Sequence, residues 1–162
     1  MNKVSLFSRA VPAVLLIVGL LIVDQLTKIA VDHYLPLQEP VHLLPVLALY
    51  RTYNTGVAFS MFDETPGYLI VGLRLAIVAF VAWLWMRTPP SRWIAHLGFV
   101  LVIAGAFGNL IDRFLYGHVI DFVLFHVGTW SFAVFNLADS FITIGAVLIG
   151  FDEIFGSGEK SK

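Results

Sequence analysis

Four long apolar segments constrain the fold of this chain more than any other feature of its sequence. They occupy residues 11–31, 68–86, 93–111 and 133–155, and the first begins with an unbroken apolar run over residues 11–23. A bilayer core requires about 20 apolar residues in helical form, so each segment is long enough, or nearly so, to cross a membrane. We predict a single membrane domain over residues 1–162, an all-α bundle of four transmembrane helices. A cleaved signal peptide is the alternative for the first segment, but no small-residue cleavage site follows it.

The composition agrees with a membrane protein. The chain is 59% hydrophobic and only 13% charged, whereas ordinary soluble domains carry about 25% charged residues. A formal net charge of -1 offers no basic field for nucleic acid. Cysteine is absent, which excludes thiolate metal sites and cysteine nucleophiles, and the five histidines are scattered. We therefore expect no cofactor, no metal and no nucleic-acid partner.

Two long connections, residues 32–67 and 112–132, separate the apolar segments. The first contains four prolines and therefore is not helical throughout. Its stretch 46–62 is rich in aromatic and β-branched residues around a turn-prone Asn54-Thr55-Gly56, which predicts a small β element at the membrane surface. In the second connection, residues 118–123 are predicted to form a short strand or the end of a helix.

The lysine and arginine residues at the ends of the apolar segments indicate the orientation. Six of the ten lie in residues 1–10, in the turn 87–92 and in the C-terminal tail, and such residues concentrate on the cytoplasmic side of a membrane. We predict that both termini are cytoplasmic and that both long connections, with the β cradle, lie on the outer surface. Arg74, inside the second segment, is predicted to snorkel toward the nearer interface; a contact to a substrate headgroup is the alternative.

Three polar clusters interrupt the second half of the chain. GNLIDR, GHVIDF and FNLADS introduce Asp112, Asp121 and Asp139 into apolar surroundings. A carboxylate near hydrocarbon costs at least about 2.5 to 3.5 kcal/mol on insertion scales, so such an acid indicates a functional site. The predicted topology brings Asp121 and Asp139 to the same outer surface.

Paired carboxylates indicate a specific chemistry. In a low-dielectric site both cannot ionise readily, so one retains its proton while the other acts as a base. An aspartic protease uses such a pair of carboxyl groups: the ionised one activates a water as a base, and the protonated one hydrogen-bonds the scissile carbonyl. The residue types alone leave open which acids form the pair. The candidates are Asp24, Asp112, Asp121 and Asp139.

Some of these acids have a structural interpretation instead. Asp112 could equally form an ion pair with its neighbour Arg113. Asp24 and Lys28 are four residues apart with the acid first, which predicts a helical ion pair near the end of the first helix.

Five short motifs occur in order along nearly the whole chain. They are D-Q-x-T-K from Asp24, Y-N-T-G-x-A-F from Tyr53, G-N-L-x-D-R from Gly108, G-H-V-x-D-F from Gly117 and F-N-x-A-D-S from Phe135. Together they resemble the bacterial lipoprotein signal peptidase, or signal peptidase II, family. The resemblance implies an aspartic endopeptidase of the bacterial inner membrane. Such enzymes cut the signal peptide from prolipoproteins just before a cysteine that carries diacylglyceryl.

The resemblance also implies roles for individual residues. Its catalytic dyad falls on Asp121 and Asp139, and Asp24 with Lys28 falls on a supporting motif. The positions that line the site fall on Asn54, Asn109, Arg113 and Asn136. The implied partners are lipid-modified prolipoproteins, membrane lipids and inhibitors of the globomycin type, with the active site facing the periplasm; we expect a monomer. The sequence departs from the family at residues 131–134, which read Ser-Phe-Ala-Val where many members have a proline.

Three other functions fit parts of the sequence. A serine-lysine protease would use Ser60 or Ser140 with Lys28, but Lys28 already has Asp24 four residues away. A proton-coupled transporter would distribute acids through the membrane depth, whereas the acids here map near one surface. A structural assembly factor gives no reason for the Asn and Asp clusters.

Overall fold

The computed structural model describes residues 6–55 and 67–156 of the chain. Four long helices lie in these ranges, after a short 3-10 helix at Leu6–Ser8: α1 Ala10–Tyr34, α2 Gly67–Arg87, α3 Trp93–Tyr116 and α4 Leu137–Phe155. The strands are β1 Pro40–Leu44, β2 Leu47–Asn54, β3 Val119–Val127 and β4 Trp130–Ser131. A mostly helical architecture with a small β element is thus confirmed.

The core of the protein is built around α3. This helix packs against α1, α2 and α4, and it buries apolar side chains such as Phe99, Val100 and Leu110. Among the described residues α1 buries only three, namely Ala13, Asp24 and Lys28, and exposes most of its apolar surface. By length and apolar composition, α1 and α3 could each cross a membrane.

Small residues allow α3 and α4 to approach closely. A Cβ built on Gly98 would lie 2.7 Å from the carbonyl oxygen of Gly145, and a Cβ on Gly145 would lie 2.6 Å from the carbonyl oxygen of Gly98. A Cβ on Gly105 would lie closer still to the carbonyl oxygen of Ala138. Because backbone atoms occupy these positions, larger residues would force the helices apart. The close approach brings the first turn of α4 beside α3.

The four strands form one antiparallel sheet in the order β1-β2-β3-β4. In its register Thr52 of β2 lies opposite Asp121 of β3, and Asn54 lies opposite Val119. Strand β2 accounts for the first part of the β element predicted at residues 46–62, and residues 56–62 lie outside the described residues. The stretch predicted as a short strand or helix end at residues 118–123 is the start of the longer strand β3.

Helices α1 and α3 extend beyond their predicted ends. Helix α3 continues from the predicted end at residue 111 to Tyr116 and stops at Gly117, whose φ of 77° is the left-handed conformation that glycine readily adopts. Asp112 and Arg113 therefore lie on the helix and not in a connection. Helix α1 continues to Tyr34 and ends at Leu35, which precedes Pro36.

Helix α4 begins later than predicted, at Leu137 and not at residue 133. Asn136 is its N-cap, a position that asparagine favours. The preceding segment pairs with β3, since the N–H of Phe135 bonds the carbonyl of Val123 at 3.1 Å and the N–H of Val123 bonds the carbonyl of Phe135 at 2.8 Å. The segment without the expected proline thus runs alongside the sheet.

Candidate functional site

Asp121 and Asp139 line the same cavity from different elements. Asp121 comes from β3 and is 2% exposed, and Asp139 is the third residue of α4 and is half-buried. The cavity has a volume of about 590 Å³, and most of its wall is apolar. The remaining residues of its wall are Asn54, Arg74, Asn109, Val119, Phe132, Ala133, Val134, Phe135, Ser140, Ile142, Thr143 and Ile144.

Asn136 connects the two acids from behind the cavity. As the N-cap of α4 its Oδ1 accepts from the N–H of Asp139 at 3.0 Å, while its own N–H donates to Oδ2 of Asp139 at 3.2 Å. This reciprocal arrangement is a capping box. The side-chain Nδ2 of Asn136 also donates to Oδ1 of Asp121 at 2.6 Å. A single buried residue therefore orients both carboxylates.

Two further asparagines complete the hydrogen bonding of the acids. Nδ2 of Asn54 donates to Oδ2 of Asp121 at 3.0 Å. Nδ2 of Asn109 donates to Oδ1 of Asp139 at 2.7 Å. Each carboxylate thus accepts from at least two N–H groups. The donors come from β2, from α3 and from the N-cap of α4.

The electrostatics favour a proton on Asp121. The pKa of Asp121 is raised to about 6, chiefly by burial and to a lesser extent by the negative charge of Asp139. Hydrogen bonds from Asn54 and Asn136 oppose this rise. A carboxyl with such a pKa can hold or release a proton near neutral pH, as acid–base catalysis requires.

A buried charge cluster centred on Lys28 lies next to Asn109. Its Nζ contacts Oδ2 of Asp24 at 3.0 Å, Oδ2 of Asp112 at 2.8 Å and Oδ1 of Asn109 at 3.1 Å. These contacts use all three N–H donors of the ammonium group. The ion pair predicted between Asp24 and Lys28 is present, but it lies well inside α1 and not at its end.

The partner predicted for Asp112 was wrong. Its ion pair goes to Lys28, whereas the neighbouring Arg113 donates from Nη1 to the carbonyl oxygen of Thr55 at 2.7 Å. Consecutive helical residues point in different directions, so adjacency in sequence does not bring their side chains together. Arg113 is not among the described residues that line the cavity. Its hydrogen bond to Thr55 connects α3 with the residue that follows β2.

Gln25 was not singled out from the sequence, although it lies within the motif that begins at Asp24. Its Nε2 donates to Oδ1 of Asp112 at 2.9 Å and to Oδ2 of Asp24 at 3.2 Å. Oδ1 of Asp24 in turn accepts from the N–H of Ala138 at 3.0 Å. The cluster therefore joins α1, α3 and the first turn of α4.

The arrangement does not favour the serine-lysine alternative. The Oγ of Ser140 donates to the carbonyl oxygen of Asn136 at 3.1 Å, a bond within the first turn of α4. Lys28 has no donor left to activate a hydroxyl, because two carboxylates and Asn109 occupy it. Ser60, the other serine considered, lies outside the described residues.

Fold and site together define the class of this protein: a mostly helical protein with a small antiparallel sheet and two carboxylates in a largely apolar cavity. Its fold is similar to a bacterial membrane enzyme solved by the in meso method at 2.3 Å resolution, with a TM-score of 0.86, 25% identity and coverage of 100% of this chain and 97% of that chain. A second bacterial membrane enzyme, solved at 1.9 Å, has a TM-score of 0.80 and 25% identity, with 99% of each chain covered.

Sequence comparison identifies the family. The family model described as signal peptidase (SPase) II matches residues 16–155. A lipoprotein signal peptidase of Sinorhizobium fredii is 61% identical over 150 residues, covering 93% of this chain and 90% of the relative. Another from Allorhizobium ampelinum is 59% identical over 153 residues, 94% of each chain. The chain belongs to the signal peptidase II family and is a peptidase, so the resemblance seen in its motifs is confirmed.

Proposed function

We propose that this chain is an aspartic endopeptidase that removes the signal peptide from diacylglyceryl-modified prolipoproteins, with Asp121 and Asp139 as the catalytic dyad. One observation carries the aspartic assignment: the two carboxylates share one cavity and are oriented by a common residue, Asn136. Membership of the family, and the similarity to proteins named lipoprotein signal peptidase, support the substrate.

The proposed reaction begins with a water between the two acids. The ionised carboxylate takes a proton from this water as its oxygen attacks the carbonyl carbon that precedes the modified cysteine. The protonated carboxyl hydrogen-bonds the carbonyl oxygen, and a proton then passes to the leaving nitrogen as the carbon–nitrogen bond breaks. Asn54, Asn109 and Asn136 hold the acids in position for these transfers.

We further propose that all four helices cross the bacterial inner membrane. Helices α2 and α4 contain 21 and 19 residues, close to the length of about 20 that a bilayer core requires. Asp139 is at the start of α4, whereas Arg92 pairs with Asp152 at 2.5 Å near the other end of that helix. Because arginines favour the cytoplasmic side, the site and the sheet belong on the outer, periplasmic side and both termini on the cytoplasmic side.

The cavity also accounts for the proposed ligands. An apolar wall beside two acids suits the extended, apolar end of a signal peptide together with the lipid chains on the cysteine. Cyclic peptides of the globomycin type would bind in the same space. Since one chain supplies both acids and their three asparagine partners, we propose that the monomer is sufficient for activity.

Cleavage of a purified prolipoprotein tests the proposal. Wild type, Asp121→Asn and Asp139→Asn are compared in detergent on diacylglyceryl-modified and unmodified forms of one substrate. We expect wild type to cut only the modified form. Either asparagine should reduce the rate by roughly 10²–10⁴-fold or more, because proton transfer by the dyad is lost.

Asp32→Asn is the matched control for these variants. Asp32 is outside the cavity wall at the end of α1, and it pairs with Arg51 at 3.2 Å with its side chain 45% exposed, so its loss should leave cleavage unchanged. Continued cleavage by folded Asp121→Asn would show that the dyad is elsewhere, and Asp112 would be tested next. If wild type cuts neither form, the substrate class is wrong, and proton flux in sealed vesicles would test the transporter alternative.

A further inference from the structure

Arg74 is the one cationic side chain among the described residues that line the cavity. It lies on α2, seven residues after Gly67 and thus about 10 Å along the helix. No hydrogen bond or ion pair joins Arg74 to any other residue in the ranges 6–55 and 67–156, and its strongest electrostatic attractions are to Asp139 and then Asp121. The proposed reaction gives this guanidinium no role.

Snorkelling toward the interface does not account for this position. An arginine in an apolar helix is normally paired or extended to the membrane surface. Arg74 instead is half-buried in the cavity wall, together with Ile142 and Ile144 of α4. Arg74 therefore borders the space that a substrate would fill. A guanidinium has five N–H donors and no acceptor, so this part of the cavity suits a ligand that presents oxygen acceptors.

The charge of the site indicates which acceptors fit. An anionic group such as a phosphate would approach two carboxylates and be repelled by them. Carbonyl oxygens accept hydrogen bonds from arginine without adding negative charge, and bonds to a charged donor are stronger than neutral ones. A neutral molecule with carbonyl groups in an apolar part of its structure is thus the best match.

We propose that Arg74 is a substrate-binding residue that donates hydrogen bonds to the ester carbonyl oxygens of the substrate's lipid group. This inference rests on the proposed function, because only a diacylglyceryl-modified substrate carries such esters beside the scissile bond. The esters are a few covalent bonds from the cysteine, at the junction between the peptide and its acyl chains. Arg74 lines the same cavity as the two acids and as the apolar residues Ile142 and Ile144 of α4, as a contact at this junction requires.

Peptide carbonyls offer the same chemistry, so the test must separate the two sources. Two substrates are made with identical peptides and chain lengths, one with a diacyl (ester) glyceryl group and one with a dialkyl (ether) glyceryl group that lacks the carbonyls. Wild type and Arg74→Gln are assayed on both. Arg87→Gln is the matched control, since Arg87 ends the same helix and lies over the ring of Trp83, 5.4 Å from its centroid, away from the cavity wall.

We expect wild type to favour the ester substrate by about ten-fold or more in kcat/KM, the size of a charged hydrogen bond. Arg74→Gln should lose this factor on the ester substrate, lose nothing on the ether substrate, and so show no preference. Arg87→Gln should keep the preference of wild type. Should Arg74→Gln fail to fold, Arg74→Lys retains the charge, and a folded Arg74→Lys should show a reduced preference because an ammonium lacks the planar fork.

Three results would overturn the inference. The first is a wild type without preference between the two substrates. The second is an equal loss of kcat/KM on both substrates in Arg74→Gln. That result would mean that Arg74 binds the peptide part of the substrate or, if the pH profile also shifts, that it acts on the two catalytic acids. The third is an Arg74→Gln variant that is unchanged on both. In each of these cases wild type still cuts the ester substrate, so the proposed function would stand. A wild type that cuts neither substrate would contradict both the proposed function and the role of Arg74.

Discussion

The side-chain amide of Asn136 donates a 2.6 Å hydrogen bond to Oδ1 of Asp121. Asn136 is also the N-cap of α4, so the residue that starts this helix orients a carboxylate that comes from the sheet. Its reciprocal bonds to Asp139 hold the second acid at the same point. Helix initiation and the geometry of the proposed dyad therefore depend on one side chain, which can be tested directly.

Asn136→Asp should separate these two roles. Aspartate caps helices about as well as asparagine, so the cap of α4 should be retained. The new carboxylate replaces the N–H donor to Asp121 with a like charge at a fully buried position, which raises the pKa of Asp121 further. We expect cleavage to fall by at least ten-fold at neutral pH, and the thermal midpoint in detergent to fall more at neutral than at acidic pH, because protonation removes the buried charge. Asn136→Ala loses the cap, at about 0.5–2 kcal/mol of stability, without adding a charge; an equal loss at neutral and acidic pH in Asn136→Asp would contradict this separation.

The pH dependence of stability should report on Asp121. Its folded pKa of about 6 is above the unfolded value of 3.8, so the folded state binds the extra proton between these values. The stabilisation is complete below about pH 4 and is lost as pH rises through about 6, at a total of about 3 kcal/mol. Asp121→Asn does not titrate, so its unfolding midpoint relative to wild type should rise between pH 4 and pH 7. A constant difference over that range would mean that Asp121 is not perturbed as described.

Lys28→Met should destabilise the protein strongly. It leaves Asp24 and Asp112, which are 1% and 0% exposed, without their cation. Breaking a buried ion pair in this way costs about 3–5 kcal/mol, which thermal unfolding in detergent would detect. Adding Asp24→Asn and Asp112→Asn should recover much of the loss, because the uncompensated charges are removed. If Lys28→Met is as stable as wild type but inactive, Lys28 acts in the reaction and not in the structure.

Gly105→Ala should reduce both stability and cleavage. The added Cβ would clash with the carbonyl oxygen of Ala138, a backbone atom, and displace the first turn of α4 from α3. Asp139 would then move away from its donor Asn109. Gly19→Ala on α1 is the matched control, since nothing lies within 4 Å of its Cβ, and it should be neutral or stabilising by about 0.5–1 kcal/mol. Comparable activity of the two variants would show that the α3–α4 contact tolerates expansion.

Much of the fold could be predicted because its signals are local. Apolar length identified four helical segments, proline and β-branched residues indicated the sheet, and the spacing of Asp24 and Lys28 predicted their ion pair. The predicted helix ends were less accurate, since α3 continues to Tyr116 with Gly117 as its C-cap, and α4 begins only after its N-cap Asn136. Both residues carry a recognisable capping signal, but an apolar run alone does not show where the helix starts or stops.

The sequence by itself determined the family, through five motifs in order, and with it which residues to expect at the site. Only the tertiary structure decided which of these side chains touch: Asp112 pairs with Lys28, far along the chain, and not with the adjacent Arg113. It also decided that Arg74 borders the cavity, because α2 is apolar around most of its circumference and no periodicity marks the face that turns inward. Such contacts depend on how the helices rotate and pack on α3, which is a property of the assembled core and not of any single segment.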